Sequence, residues 1–237
     1  MSVDSKPQSD NKRSPSIWIV VAAYNEAARI KTTLGGLTSW SYNIVVVDDG
    51  SSDATAEFAK TLPVWVLRHP INCGQGAALQ TGIDFALSRG AKAIVTFDGD
   101  GQHDPADLPQ MLKPVLDEDV EIALGSRFLG RAESIPLVRK VLLRAAILFT
   151  RLTSGLKLTD THNGFRVLSR KAAQTIRIRQ PRMAHASEIL DQIAARGLSY
   201  VEVPVTIRYT QETLAKGQST WDAVRISGQL LAGRFWK

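Results

Sequence analysis

A single cysteine, Cys73, stands among the 237 residues of this chain. No intrachain disulfide can form, so the fold must rest on its core, and a reducing cytoplasmic setting is the simpler expectation. The ~18 to 20 consecutive apolar residues that cross a bilayer are also missing. The longest candidate, Val141 to Thr150, is short and broken by Arg144. Residues 1–16 hold no apolar core of a signal peptide and read as a disordered tail. There is no internal repeat and, beyond that tail, no low-complexity segment. Charge is only mildly one-sided: 29 Lys and Arg against 23 Asp and Glu give a net +6. That excess favours anionic partners without choosing among nucleotides, lipid headgroups and nucleic acid. What is present, 44% hydrophobic and 22% charged residues, fits one large soluble domain with a substantial core.

From Ile17 onward, short β-rich runs alternate with helical stretches. Strands are expected at Ile17–Ala22, Ile44–Val47, Val64–Leu67, Ala93–Phe97 and Val120–Leu124. Between them, helices are expected at Glu26–Trp40, from a Ser52 or Asp53 cap to Lys60, from Asn72–Gly76 to Ser88, and from Asp104-Pro105 onward. Such alternation gives an α/β fold with a largely parallel sheet flanked by helices on both faces. The second half is less regular. A basic helix is expected at Val138–Leu152, a strand at Phe165–Leu168, a helix at Glu188–Ala195, and an edge or bulged strand at Val201–Ile207, which carries Pro204. An amphipathic helix closes the chain, about Trp221 to Phe235 within residues 220–237.

The chemistry concentrates at the strand ends. Ala93–Phe97 runs directly into Asp98-Gly99-Asp100-Gly101-Gln102, two carboxylates and an amide at one strand tip. Oxygen ligands crowded at a point suit Mg²⁺ or Mn²⁺, which keep positions open for phosphates. Gly99 and Gly101 let the chain turn, so that Asp98 and Asp100 need not face opposite ways. An isolated Asp-x-Asp is more often a polar turn, but three other tips are also polar: Ala23-Tyr24-Asn25-Glu26, Asp48-Asp49-Gly50-Ser51 and Asn72-Cys73-Gly74-Gln75-Gly76. In a parallel sheet these tips share one edge, where open α/β sheets bind ligands. Tyr24 offers an aromatic face, Glu26 or Asp49 can accept hydrogen bonds from a base or ribose, and Gly74 and Gly76 let backbone approach a ligand. Singly, each of these is as readily turn chemistry, and Asp48 can serve only its own loop.

Taken in order, the runs Ala22–Glu26, Val47–Ser51, Asn72-x-Gly74-x-Gly76, Asp98–Pro105, Gly125-Ser126-Arg127 and Asp160–Arg166 resemble the family 2 glycosyltransferases with a GT-A fold. Within them, the chain is similar to the dolichyl-phosphate mannose synthase-like group. Glu188, Glu202–Val205 with Arg208, and Lys216–Ser219 extend the resemblance, which spans residues 17–219 as one GT-A domain. It departs from the usual pattern at Ala22-Ala23, where proline is common, and at His162-Asn163, where small or hydroxyl residues are frequent. The resemblance implies transfer of a hexose from a UDP- or GDP-sugar with inversion at the anomeric carbon. By similarity, Ala23, Tyr24, Glu26 and Asp49 would hold the nucleoside, with Gly74, Gly76, Asp98 and Gly99 completing the donor site. Asp98, Asp100 and Gln102 would hold the metal that offsets charge developing on the leaving diphosphate.

The group usually glycosylates a polyprenyl phosphate, which is already largely dianionic near neutral pH and needs cations rather than a base. Arg127, Arg139 and Arg208 occupy suitable places by similarity, with Glu188 and Ser219 completing the expected acceptor-binding set. Asp100, Arg127 and Arg208 are the residues expected to serve the reaction itself. A glycan hydroxyl acceptor would instead want a carboxylate base, for which Glu188 and Asp191 are candidates. Membrane contact is expected to be peripheral, at the cytoplasmic face, through the basic stretch Pro136–Leu158 and the C-terminal helix, or through a partner protein. Nucleic acid is not expected among the partners. The rivals are a sugar nucleotidyltransferase, which would carry a glycine-rich basic loop where Ala23-Tyr24-Asn25-Glu26 stands, and a non-catalytic scaffold on the membrane surface.

Overall fold

The computed structural model describes residues 2–3, 14–133, 155–161 and 163–208. The expected helices at Val138–Leu152 and Trp221–Phe235 lie outside them, as do Arg139 and Ser219. The described elements run β1 (Ser2–Val3), β2 (Ser14–Ala23), α1 (Ile30–Thr38), β3 (Tyr42–Asp48), α2 (Thr55–Lys60), β4 (Trp65–Arg68), α3 (Gln75–Ser88), β5 (Ala93–Asp98), a 3₁₀ turn (Pro105–Asp107) and α4 (Leu108–Leu116). They continue with β6 (Ile122–Glu133), β7 (Arg166–Ser169), α5 (Arg170–Thr175), α6 (His185–Arg196) and β8 (Tyr200–Arg208).

The strands form one eight-stranded sheet in the order β1-β4-β3-β2-β5-β7-β6-β8. β4, β3, β2 and β5 are parallel neighbours, with Ala22 level with Asp98 and Ala23 level with Asp48. β7 runs antiparallel to both β5 and β6, so its first residues, not its last, reach the edge where β5 ends. Because the central strands are covered on both faces, their apolar residues alternate between two cores. Ile19 and Val21 with Ile44 and Val46 pack toward α1, α2 and α4. Val20 and Ala22 with Val45 and Val47 pack toward α3, α5 and α6. Phe97 and Phe165 are fully buried in the first core. Burying a side chain of that size contributes about 1.5–3 kcal/mol.

Several element limits differ from the sequence pattern, for local reasons. The helix expected from Glu26 starts at Ile30, because the preceding backbone is held by another loop: Glu26 N–H donates to Thr55 Oγ1 at 2.8 Å and Ala27 N–H to Asp53 Oδ2 at 3.1 Å. Asp53 does not cap α2 but closes a turn onto Thr55 N at 3.0 Å. Asp104 takes Ala106 N–H, giving a 3₁₀ turn before α4. β6 continues nine residues beyond Leu124, to Glu133, because it pairs along β8. Pro204 sits as its type requires: among the described residues β8 is an edge strand, and the β6–β8 register breaks just past it. α5, which the pattern did not reveal, is capped by Ser169 Oγ accepting from Ala172 N. No helix among the described residues is long and apolar enough to cross a membrane.

Candidate active site

Asp98 is the last residue of β5 and the centre of the site. Its Oδ1 accepts from Gln75 Nε2 at 2.8 Å, and its Oδ2 meets His103 Nε2 at 2.9 Å. Behind it stands Gly164: a Cβ there would lie 2.7 Å from Oδ1 and 2.8 Å from Cγ, so a larger residue would force this carboxylate to move. About 24% of the Asp98 side chain stays open to solvent. Burial pushes its pKa up, but the His103 hydrogen bond and the electrostatic influence of His103, His185 and Arg166 outweigh that and hold it below the usual carboxylate value.

Asp100 follows after one turn. Gly99 is needed for space, since a Cβ would meet Ala22 O at 3.0 Å, and Gly101 is needed for its positive φ of 76°. Burial, then the charge of Asp98, raise the Asp100 pKa, with Glu26 adding to them and His103 and the Gln102 N–H opposing. Gln102 braces Asp100, with its backbone N–H on Oδ1 at 3.0 Å and its side-chain amide on Oδ2 at 2.8 Å. Two carboxylates this close repel in the absence of a cation, and one of them is pre-set by its neighbours. The pair and its hard oxygen donors fit a divalent metal. Gln102, expected as a third ligand, donates its amide N–H to Asp100; a ligand bond would come from its carbonyl Oε1, which that contact does not use.

Arg166, on β7 level with Thr96, is a buried guanidinium. Burial lowers its pKa to about 10, against the pull of Asp98 and Asp160, so it remains a cation at neutral pH. The quoted runs contain Arg166, His103, Gly164 and Gln75 but assign them no task, and His185 lies outside those runs. Charge accounting was the available signal, because adjacent buried carboxylates require nearby cations or donors.

At the nucleoside end, Tyr24 is 47% exposed at the tip of β2, and Asn25 beside it takes a positive φ of 53°. Glu26 pairs with Arg29 at 2.6 Å. Asp49 differs from expectation. It is 2% exposed, and its oxygens accept from Cys73 N at 2.9 Å and Gly74 N at 2.6 Å and meet His69 Nδ1 at 2.7 Å. Asp49, His69 and Cys73 each bring a potential metal ligand within 4.8 Å of the others. Yet His69 also bonds Thr81 Oγ1 at 3.0 Å, so the group reads as a closed network fixing the 71–74 turn. Gly74 and Gly76 also have a packing role: a Cβ on either would run into the backbone of Gln180 or Pro181, so one close approach they permit is to the protein itself.

The acceptor candidates divide. Arg127 is turned inward, its Nε 2.6 Å from Asp160 Oδ2, and is buried. Asp160 N and the Thr159 backbone and hydroxyl donate in turn to Glu202 at 2.8–3.0 Å. Glu188 is occupied as well, accepting from Arg179 N and Gln180 N at 2.8–3.1 Å, which ties α6 to the loop before it. Arg208 remains 55% exposed at the end of β8, beside Asp104 at 2.5 Å.

Known proteins resemble the chain over most of its length. The family model described as glycosyl transferase family 2 matches residues 18–177. An uncharacterized protein of Methanocaldococcus jannaschii is 40% identical over 91% of this chain and 90% of its own. A UDP-N-acetylglucosamine–dolichyl-phosphate N-acetylglucosaminyltransferase of Methanococcus voltae is 32% identical over 91% of this chain and 94% of its own. An undecaprenyl-phosphate mannosyltransferase of Micrococcus luteus is 32% identical, over 80% and 82%. Among solved structures, the glucosyl-3-phosphoglycerate synthase of Mycobacterium tuberculosis with Mn²⁺ and UDP-glucose superposes with a TM-score of 0.69 at 19% identity, over 92% of this chain and 77% of that one. The polar strand tips at one sheet edge, the shared fold and the matched family together identify the chain: it belongs to glycosyl transferase family 2 and is a glycosyltransferase of GT-A-type fold.

Proposed function

We propose that the protein is an inverting, metal-dependent transferase that moves a hexose from a UDP- or GDP-sugar to a polyprenyl phosphate at the cytoplasmic surface of a membrane. The observation that carries the choice of acceptor is the state of Glu188. A hydroxyl acceptor needs a base to take its proton, and the Glu188 carboxylate is held by two backbone N–H groups of the loop before α6, a contact that gives it a structural task. A phosphate oxygen needs no such base. The names of the Methanococcus and Micrococcus relatives point the same way.

In this reading Asp98 and Asp100 would hold a divalent cation, which would supply positive charge against the leaving diphosphate. Gln102 keeps Asp100 turned toward that point, and His103 and Gln75 keep Asp98 there. Tyr24 would stack on the base at the open end of β2. The anomeric carbon–oxygen bond breaks with its electron pair leaving on the diphosphate, while an acceptor phosphate oxygen bonds the opposite face of the sugar. Arg208, at the site's rim, would steer that anionic acceptor.

Incubating the protein and Mn²⁺ with each UDP- and GDP-hexose and a short polyprenyl phosphate should give a hexosyl phospholipid by mass spectrometry, and chelator should prevent it. Transfer to an oligosaccharide hydroxyl with none to the lipid phosphate would overturn the choice of acceptor.

A further inference from the structure

The proposed metal site depends on carboxylates pointing the right way, and Asp98 is held from three sides by residues with no other evident task. Resting on the donor-metal reading, we propose that Gln75 and His103 are positioning residues for Asp98, one on each carboxylate oxygen, which set the side chain in its cation-binding pose before any cation arrives.

His103 carries the first half of the argument. Its ring is wedged between Phe97 and Phe165, at centroid distances of 5.2 and 5.4 Å, in the apolar core. Nε2 faces Asp98, while the buried Nδ1 has no hydrogen-bond partner among the described residues. A polar ring atom buried without a partner is a cost that an apolar residue would avoid. If packing alone set this position, phenylalanine would serve better. The Nε2–H contact to Asp98 is what the imidazole adds.

Gln75 supplies the second half. It is the first residue of α3, following Gly74 at φ 99°. That turn does not float. Asp49 grips the backbone N–H groups of Cys73 and Gly74, and His69 joins Asp49 to Thr81 on the same helix. Ala77 N–H is tied to Pro181 O at 3.2 Å. The amide that reaches Asp98 Oδ1 therefore stands on a base fixed to the tip of β3. Asp49, in this arrangement, acts on the metal carboxylate through Gln75. An ionised carboxylate offers about four lone-pair sites. With one on each oxygen already taken, the remaining two are left for a cation on the open side.

The test uses the whole chain and Mn²⁺ alone, followed by loss of the free-ion electron paramagnetic resonance signal, with thermal melting alongside. Removing groups that orient a metal ligand typically weakens metal binding about 10–100-fold. Gln75→Ala and His103→Phe should each show that loss. His103→Phe gives up the hydrogen bond to Asp98 but should lose less thermal stability than His103→Gln, because it keeps the aromatic packing and removes the orphan nitrogen. His103→Gln, which retains an N–H donor but loses the ring, should bind Mn²⁺ better than His103→Phe while melting lower. A merely structural histidine would give the reverse order. If the wild type binds Mn²⁺ and Asp98→Asn abolishes it, but Gln75→Ala and His103→Phe bind as the wild type does, this inference falls and the metal reading stands. If the wild type takes no Mn²⁺, with or without UDP or GDP, both fall.

Discussion

Gly164→Ala is the sharpest single perturbation of this site, because one methyl group is aimed at one carboxylate. Gly164 does not adopt a positive φ, so alanine meets no backbone strain and the whole effect is steric. The new Cβ would stand 2.7 Å from Asp98 Oδ1, 2.8 Å from Cγ and nearer still to Oδ2. Relief requires the carboxylate to move by roughly 1 Å, the shortfall from ordinary van der Waals separation. A shift of that size carries Oδ1 and Oδ2 beyond hydrogen-bond range of Gln75 and His103, now at 2.8 and 2.9 Å. Hydrogen bonds to a charged group contribute about 1.5–3 kcal/mol each. Partial relaxation leaves an expected loss of about 3 kcal/mol, which for a domain of this size lowers Tm by about 6–12 °C. Gly35→Ala is the control: it lies in α1 with nothing within 4 Å of its Cβ, and it should stabilise by about 0.5–1 kcal/mol. Differential scanning fluorimetry of both variants, with a Mn²⁺ titration, reads the result. A Gly164→Ala protein that melts and binds Mn²⁺ like the wild type would refute the reasoning.

Two further outcomes follow from the same geometry. Arg127→Ala strips the guanidinium from buried Asp160, and breaking such a pair costs about 3–5 kcal/mol, so chemical denaturation should show a large loss of stability before any acceptor is added. An unchanged denaturation midpoint would return Arg127 to the acceptor. Glu121, paired with Lys171 at 2.6 Å and accepting Ser199 N–H at 3.0 Å, has its pKa lowered by the Lys171 hydrogen bond first and the Ser199 N–H second. A lowered carboxylate adds stability above its unfolded pKa of about 4.5, and that stability is lost as pH falls through the folded value. Glu121→Gln should therefore destabilise at pH 7 and make no difference well below pH 4, and equal losses at both would contradict it.

The strands were legible because each is a short run of β-branched and apolar residues bounded by turn chemistry, as Ile44–Val47 and Ala93–Phe97 show. The acidic tip was legible because two carboxylates one residue apart demand an explanation. What the chain could not display was which donors would reach which acceptors across long separations. Asp49 reads as a free acceptor in the sequence, yet its donors come from Cys73 and Gly74, 24 and 25 residues away. Gly74 and Gly76 correctly signalled a close approach, and one approaching group is the backbone at Gln180 and Pro181. Glu188 looked like a base for the same reason, since its partners are backbone N–H groups that no side-chain pattern advertises.

The end of β8 has a mechanical meaning. Arg208 N–H bonds Gln102 O at 2.9 Å, His103 bridges to Ile207, Thr206 N–H holds Asp107, and the Arg208 side chain grips Asp104. The acidic loop is thus laced to the last three residues of β8. A pull or a twist on whatever follows Arg208 would arrive at Gln102 through a single hydrogen bond, and from there at Asp100. The edge strand thereby fixes the backbone that carries Gln102, and through Gln102 the carboxylate of Asp100.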